Sequence, residues 1–293
     1  MRSIIRRILG AAYRHLAPTG VRNLLSSHLL LTARDSAPAK ITDFATGPVL
    51  VVAPHFDDEI CGCGGVMGLH KTAGSQVAVV FVTDGSAGDP ALRAAKLPAE
   101  EMAKRKAALS ALREAESRAA CAEYEVDRFD CLGGPDGNLQ PTAALNTAMA
   151  QLIADLRPAV IYHPSLLDAH SDHWNTTRIL RHALADLPEI AKSVRLRGYE
   201  VWMPAIPNRF ADITEEMPRK QRAFAHFVSQ NATIDYPRAI GGLNTYRSIY
   251  FQGGKGYCEA FQELSFAEYE TLSDAITAQS QAKPDSHGDP SHS

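Results

Sequence analysis

Two short runs constrain the fold of this chain most: Val49–Ala53 (VLVVA) is wholly apolar, and Val77–Thr83 (VAVVFVT) is apolar up to its final threonine. A strand with one wet face alternates apolar and polar residues. These runs do not alternate, so both faces must be covered, as in a parallel sheet clad by helices on either side. Between them, Cys61–Ala73 reads as a crossover helix closed by Gly74. The pattern then repeats. Pro98 opens a long helix to about Glu123, with Met102, Leu109, Leu112, Ala115 and Ala119 as its apolar stripe. A strand over Val126–Leu132 leads into the turn Gly133–Gly137, followed by a helix near Thr142–Leu156, a strand Ala159–His163 and a helix from about His173 to Ala185. Leu196–Met203 and Tyr246–Phe251 read as further strands, and no linker interrupts them. The expected fold is α/β: a Rossmann-like, doubly wound, mostly parallel sheet with helices on both faces, in a single domain. Ligands of such folds bind beyond the carboxyl ends of the strands.

Composition narrows the class. With 45% hydrophobic and 22% charged residues, the chain has the make-up of a globular protein, and global disorder is excluded. No apolar run approaches the ~18–20 residues that cross a bilayer. A net charge of −3 gives no reason to expect a nucleic-acid partner. The five cysteines (Cys61, Cys63, Cys121, Cys131 and Cys258) are odd in number and scattered, which favours a reducing, cytoplasmic setting. The ends differ from the middle. Residues 1–34 hold six arginines and no acid, with Ile4, Ile5, Ile8, Leu9, Ala12 and Leu16 at helical spacing. Residues 1–40 are therefore expected to form a basic amphipathic helical extension. Two uses fit it: peripheral contact with anionic headgroups at the inner face of a membrane, or docking on the protein body, including at a homo-oligomer contact. The main domain is expected over 45–270, and the polar segment 279–293 as a disordered tail.

The chemistry gathers at two strand ends. The first strand runs into Pro54-His55-Phe56-Asp57-Asp58-Glu59, and the strand ending at His163 is soon followed by Asp168-Ala169-His170-Ser171-Asp172-His173. Imidazole plus carboxylate suits a zinc-type site with three protein ligands and an open position. Three successive carboxylates repel one another, a cost that a cation relieves. Helix capping by Asp57 or Asp172 explains one residue at a time, but not two such clusters at equivalent strand ends. The rival is a dinucleotide site, since Gly62, Gly64, Gly65 and Gly68 follow a strand and Asp84 ends the next. It would set Asp57, Asp58 and Glu59 against an anionic pyrophosphate, so helix–sheet packing accounts better for the glycines.

The segment Ala53-Pro54-His55-Phe56-Asp57-Asp58-Glu59, with Gly62, Gly64 and Gly65, resembles the opening signature of the LmbE-like/PIG-L family of zinc-dependent de-N-acetylases. The likeness continues through Thr83-Asp84-Gly85, Arg113 with Glu116, Pro135-Asp136-Gly137, His170-Ser171-Asp172-His173, Asp212-Ile213-Thr214, Lys220, Ser229-Gln230 and Tyr257–Phe261. Phe56 and Ser171 stand where proline is usual, which bears on loop shape and substrate fit. The resemblance implies an N-deacetylase acting on an amino sugar of the N-acetylglucosamine type or a glycoconjugate. His55, Asp58 and His173 would bind Zn2+, or Fe2+, which the same ligands accept. Asp57 would be the general base for the attacking water. His170 would stabilise the oxyanion or protonate the leaving amine, and Asp172 would orient a histidine. An amidase acting on a thiol-sugar conjugate or antibiotic precursor would use the same machinery, and an inactive sugar-binding protein would keep only the fold.

Weaker expectations attach to other residues. Arg113 either holds a substrate hydroxyl or phosphate or pairs with Glu116. Asp84 and Asp136 either touch sugar hydroxyls or cap turns. Cys61 and Cys63 are read as small buried residues rather than a metal pair, and His163 as a strand-end residue. Trp174 and Trp202 are read as core rather than as stacking platforms.

Overall fold

The computed structural model of the protein describes residues 37–281. Its strands are β1 (Ala39–Lys40), β2 (Val49–Ala53), β3 (Val77–Thr83), β4 (Arg128–Gly134), β5 (Val160–Pro164), β6 (Arg195–Tyr199), β7 (Arg209–Asp212) and β8 (Cys258–Leu264). They form one mixed sheet in the order β1-β7-β8-β6-β5-β2-β3-β4. From β4 to β6 every pairing is parallel, in register from Val49 opposite Val77 on one side of β2 and opposite Val160 on the other. Strand β8 is antiparallel to both β6 and β7.

The apolar runs are buried throughout, as their composition demands. In β2, Val49, Val51 and Ala53 join one core layer, while Leu50 and Val52 join the layer on the opposite face. Each buried Val or Leu contributes about 1.5–3 kcal/mol, which favours a strand covered on both faces over one exposed to water. The first layer is closed by α1 (Asp58–Thr72), α3 (Ala99–Ala122) and α7 (Met217–Ala225). The second is closed by α4 (Ala143–Leu156), α5 (Ser171–Ala185) and α11 (Phe266–Gln281). Short helices complete the chain: α2 (Pro90–Ala94), α6 (Pro188–Ala191), α8 (Val228–Asn231), α9 (Tyr236–Arg247) and α10 (Ile249–Gln252). The doubly wound expectation is borne out.

The glycines of α1 pack as the sequence implied. A Cβ on Gly62 would lie 2.3 Å from Tyr199 Cδ2, and one on Gly65 would lie 2.3 Å from Ile213 Cγ2. Only hydrogen at these positions lets the helix approach the neighbouring side chains so closely.

Several boundaries differ from expectation. Tyr246–Phe251 is helical, not a strand. The Asp235 side chain accepts from Arg238 N–H, Pro237 falls in the first turn, and Ile240 and Asn244 bury one face at a four-residue interval. Strand β6 stops at Tyr199, so Trp202 and Met203 lie in the loop beyond it. Helix α5 begins at Ser171, two residues before the expected start. Strand β8, which joins β6 to β7 and so lengthens the sheet, had not been expected as a strand. The N-terminal helix expected over residues 1–40 lies outside the described residues except for 37–40, where Ala39–Lys40 is strand. Helix α11 runs to Gln281, so residues 279–281 of the expected tail are helical, and 282–293 lie outside the described residues. Among the described residues, no helix is long and apolar enough to cross a membrane.

Candidate active site

Chain order reverses across the sheet at β2, which carries β3 on one side and β5 on the other. Loops leaving neighbouring strands in opposite senses open a crevice there. The segment after β2 supplies His55 and Asp57 from its loop and Asp58 from the first turn of α1, and the segment after β5 supplies Asp168 and His170 from its loop and Asp172 and His173 from the first turn of α5. The resulting cleft of about 420 Å3 is lined by His55, Asp57, Asp58, Arg113, Asp136, His170 and Trp202, with Gln230, Ile234 and Tyr236 on its far wall.

At the floor, Asp58 Oδ2 lies 3.1 Å from His55 Nδ1 and 3.2 Å from His173 Nε2. The outer nitrogen of each ring faces a second carboxylate. His173 Nδ1–H donates to Asp168 Oδ2 at 2.8 Å. His55 Nε2 lies 3.2 Å from Asp172 Oδ2 and 3.3 Å from Asp136 Oδ1. A neutral imidazole has one proton, and these outer carboxylates draw it away from the centre. The lone pairs of His55 Nδ1 and His173 Nε2 then both face Asp58. His173 Nε2 is buried and, although 3.2 Å from Asp58 Oδ2, makes no hydrogen bond among the described residues. A cation between the three atoms resolves that arrangement. Ligand atoms in a tetrahedral zinc site, at ~2.0–2.1 Å from the ion, stand about 3.3 Å apart, close to the two distances from Asp58 Oδ2 to the imidazole nitrogens.

Electrostatics agree. Burial alone lowers the proton affinity of His55 and His173, but the surrounding carboxylates outweigh it, holding His55 well above the usual histidine range and His173 at about 9. Burial works to raise Asp58, yet His173 and His55 hold it below the usual carboxylate range. The cluster thus favours positive charge at its centre, which protons or a divalent ion can supply.

The neighbouring Asp57 is different. Its carboxylate accepts no hydrogen bond among the described residues, and burial, then the adjacent Asp58 charge, push its pKa up to about 7. The third carboxylate of the run turns away from the site. Glu59 is fully buried and accepts from Ser117 Oγ at 2.7 Å, and burial pushes its carboxyl well above the usual glutamate range. Of the repulsion expected in this run, that between Asp57 and Asp58 bears on the cleft, where it helps to raise Asp57.

His170 caps α5: its Nδ1 accepts from Asp172 N–H at 3.1 Å, so the neutral ring carries its proton on Nε2. The rings of His55, His170 and His173 crowd together, each with a nitrogen within 4.8 Å of the others, which makes His170 an alternative third ligand. Asp58 fits that place better, because it approaches both other ligands closely while one nitrogen of His170 is engaged in the cap.

The remaining expected residues divide. Asp136 lines the cleft, its Oδ1 near His55 and its Oδ2 accepting from Ala87 N–H at 2.8 Å. Arg113 also lines it, buried, with Nη1 donating to Gly85 O at 3.3 Å and 3.9 Å from Asp136 Oδ2. It does not pair with Glu116, which instead accepts from Ser229 N–H and Oγ–H. Asp84 is a turn cap outside the cleft lining, accepting from Ser86 N–H at 3.0 Å. Cys61, Cys63 and His163 are buried structural residues, and Trp174 is half-buried against the core. Trp202 departs from its expected core role: 45% exposed, it stands at the cleft against His170, with ring centroids 6.0 Å apart.

Sequence reasoning assigned no role to Asp168, although its place in the cluster was visible, because only the fold shows which histidine it meets. Gln230 was part of the resemblance but carried no role. Its Nε2 donates to Phe56 O, which fixes the peptide preceding Asp57. Phe56 itself, where proline is usual, packs into the core against Phe81, with centroids 4.6 Å apart.

Residues 50–184 match the PIG-L family model, described as GlcNAc-PI de-N-acetylase. Comparison with curated proteins found no match. Among solved structures, the conserved protein TT1542 from Thermus thermophilus is 26% identical, with a TM-score of 0.59 over 74% of this chain and 94% of that one. The N,N'-diacetylchitobiose deacetylase from Pyrococcus horikoshii, complexed with its inhibitor MPG, is 20% identical, with a TM-score of 0.63 over 76% of this chain and 85% of that one. GalB, the 4-carboxy-2-hydroxymuconate hydratase from Pseudomonas putida KT2440, is 20% identical, with a TM-score of 0.62 over 74% and 96%. The last two share the fold while differing in chemistry, so reaction type must be argued from the site.

Proposed function

We propose, from the match of residues 50–184 to the PIG-L (LmbE-like) family model and from the site geometry, that the chain is a metal-dependent hydrolase removing an N-acetyl group from an amino sugar or glycoconjugate. The observation that carries this reading is the convergence of His55 Nδ1 and His173 Nε2 on Asp58 Oδ2, at 3.1 and 3.2 Å, with Asp57 beside them in the cleft. His55, Asp58 and His173 would hold Zn2+, or Fe2+. When bound, such an ion supplies Lewis acidity, lowering the pKa of a water and polarising the amide carbonyl.

The protein's own groups do the rest. Asp57 takes the proton of the attacking water, and its raised proton affinity suits that task. His170, protonated on Nε2, donates to the developing oxyanion or to the departing amine, which leaves only once protonated. Asp172 orients His55, and it also accepts from Gly137 N–H at 2.7 Å and Leu139 N–H at 3.1 Å, so the loop after β4 is tied to the same imidazole. Arg113 and Asp136, both in the cleft lining, would meet substrate hydroxyls.

Metal content after purification without chelator, measured beside acetate release from a panel of N-acetylated amino sugars and glycoconjugates, tests the reading. Wild type is expected to carry about one zinc or iron per chain and His173→Ala none. Asp57→Asn is expected to keep the metal and lose roughly 10²–10⁴-fold in rate. A wild-type chain that takes up no metal on titration would sink the mechanism. Metal binding without acetate release from any panel member would point to another chemistry on this fold.

A further inference from the structure

Asp168 has a position that the reaction scheme leaves unused. It is buried in the loop between β5 and α5, and its two carboxylate oxygens face different parts of the site. Oδ2 accepts from His173 Nδ1–H at 2.8 Å. Oδ1 accepts from the backbone N–H groups of Trp202 at 3.1 Å and Met203 at 3.0 Å, on the loop after β6, and from Ala169 N–H at 3.0 Å. Trp202 in turn lies against the His170 ring, the two planes 25° apart. One carboxylate thus joins a buried imidazole to the loop that forms the aromatic wall of the cleft.

We propose that Asp168 is a positioning residue that sets both the free nitrogen of His173 and the place of the Trp202 wall, so that metal affinity and cleft shape depend on one side chain. The inference rests on the reading of His173 as a metal ligand. An ionised carboxylate can only accept, so it keeps the His173 proton on Nδ1 and leaves Nε2 as a lone pair aimed at Asp58. An amide at this position separates the two tasks. In Asp168→Asn the remaining oxygen still accepts from Trp202 and Met203. The new NH2 group donates to His173 Nδ1, which moves the ring proton to Nε2 and blocks the ligand position. Asp168→Ala loses both tasks.

The chain has two tryptophans, Trp174 and Trp202, so Trp174→Phe leaves Trp202 as the sole indole reporter. In that parent, zinc affinity is measured by competition with a chromophoric chelator, and the wall is read from Trp202 emission and acrylamide quenching in metal-free protein. Asp168→Asn is expected to weaken zinc binding about 10–100-fold, with Trp202 emission as in the parent. Asp168→Ala is expected to weaken zinc binding to a similar degree, to shift Trp202 emission to the red and to increase quenching. Asp168→Ser replaces it as the wall arm if the alanine variant does not fold. Zinc affinity of Asp168→Asn within threefold of the parent, or parent-like Trp202 emission in the alanine or serine variant, would overturn the proposal while leaving the metal site intact. A parent that takes up no zinc would instead defeat the underlying reading, and this inference with it.

Discussion

His163 lies at the end of β5, a few residues before the cluster of site residues, yet its ring takes no part in it. Its Nδ1–H donates to Pro164 O at 2.7 Å, and Nε2 is buried without a partner beside the Tyr269 ring. Burial lowers its pKa to about 4, and burial does the same to His70, whose Nδ1–H donates to Phe44 O and whose Nε2 accepts from Tyr162 O–H. Both rings are neutral when folded but titrate near 6.5 when unfolded, so the unfolded state binds more protons between those values. Stability from this source is full above about pH 6.5 and falls as the pH drops toward 4, by about 2 kcal/mol per histidine between pH 7.5 and 5. Urea unfolding at the two pH values checks this: His163→Leu should shrink the wild-type difference by about 2 kcal/mol, and an unchanged difference would refute it. Sequence placed His163 correctly as a strand-end residue. The missing partner at Nε2, which makes it acid-sensitive, belongs to the packing of α11 against the sheet.

At the scale of elements, α1 shows how composition and packing can oppose each other. Four glycines weaken a helix by about 1 kcal/mol each relative to alanine, so α1 persists because the glycines allow close contact with its neighbours. Gly65→Ala would gain helix propensity but drive its Cβ to 2.3 Å from Ile213, and overpacking of that kind costs about 1–3 kcal/mol. A Cβ on Gly242, in α9, would meet nothing within 4 Å, so Gly242→Ala should stabilise by about 0.5–1 kcal/mol. Denaturation midpoints should therefore move in opposite directions, and a shift in the same direction for both would remove packing as the explanation. The helix over α9 also shows where local pattern misleads. The aromatic, β-branched run around Tyr246–Phe251 has strand propensity, but Tyr246 and Arg247 close the helix that a cap at Asp235 and a first-turn proline opened, and Ile249–Gln252 forms the short helix α10.

At the scale of the whole molecule, one buried ion pair binds distant parts of the chain together. Lys220 Nζ on α7 donates to Glu259 Oε1 on β8 at 2.7 Å, to Cys61 O on α1 at 2.9 Å and to Asn244 Oδ1 on α9 at 3.2 Å. Glu259 accepts in return from Gly65 and Val66 N–H of α1 at 2.8 and 2.9 Å. All three ammonium protons are used in a site that excludes water, so removing one partner leaves a buried charge unmatched. Lys220→Met should cost roughly 3–5 kcal/mol, and adding Glu259→Met should cost far less than a second loss of that size. A double-mutant cycle by urea denaturation measures the coupling, and simple additivity would show that the pair does not act as a unit. The pair also anchors the helix whose first turn carries Asp58, which links its integrity to the site.

The sequence by itself determined the parallel core and the two strand ends where chemistry gathers, because unbroken apolar runs admit few burial schemes and because the residues of each cluster lie within about a turn of one another. It also held the motifs of the resemblance, which the match over residues 50–184 supports. Only the tertiary structure decided which groups meet. Asp58 faces two imidazoles from different strand ends, Asp172 and Asp136 reach His55 across separate strand ends, Glu59 turns into the core, Asp84 becomes a turn cap, and Trp202 reaches the cleft instead of the interior. Each of these depends on contacts between residues far apart in the chain, and periodicity, which reports only the local direction of side chains, carries no record of them.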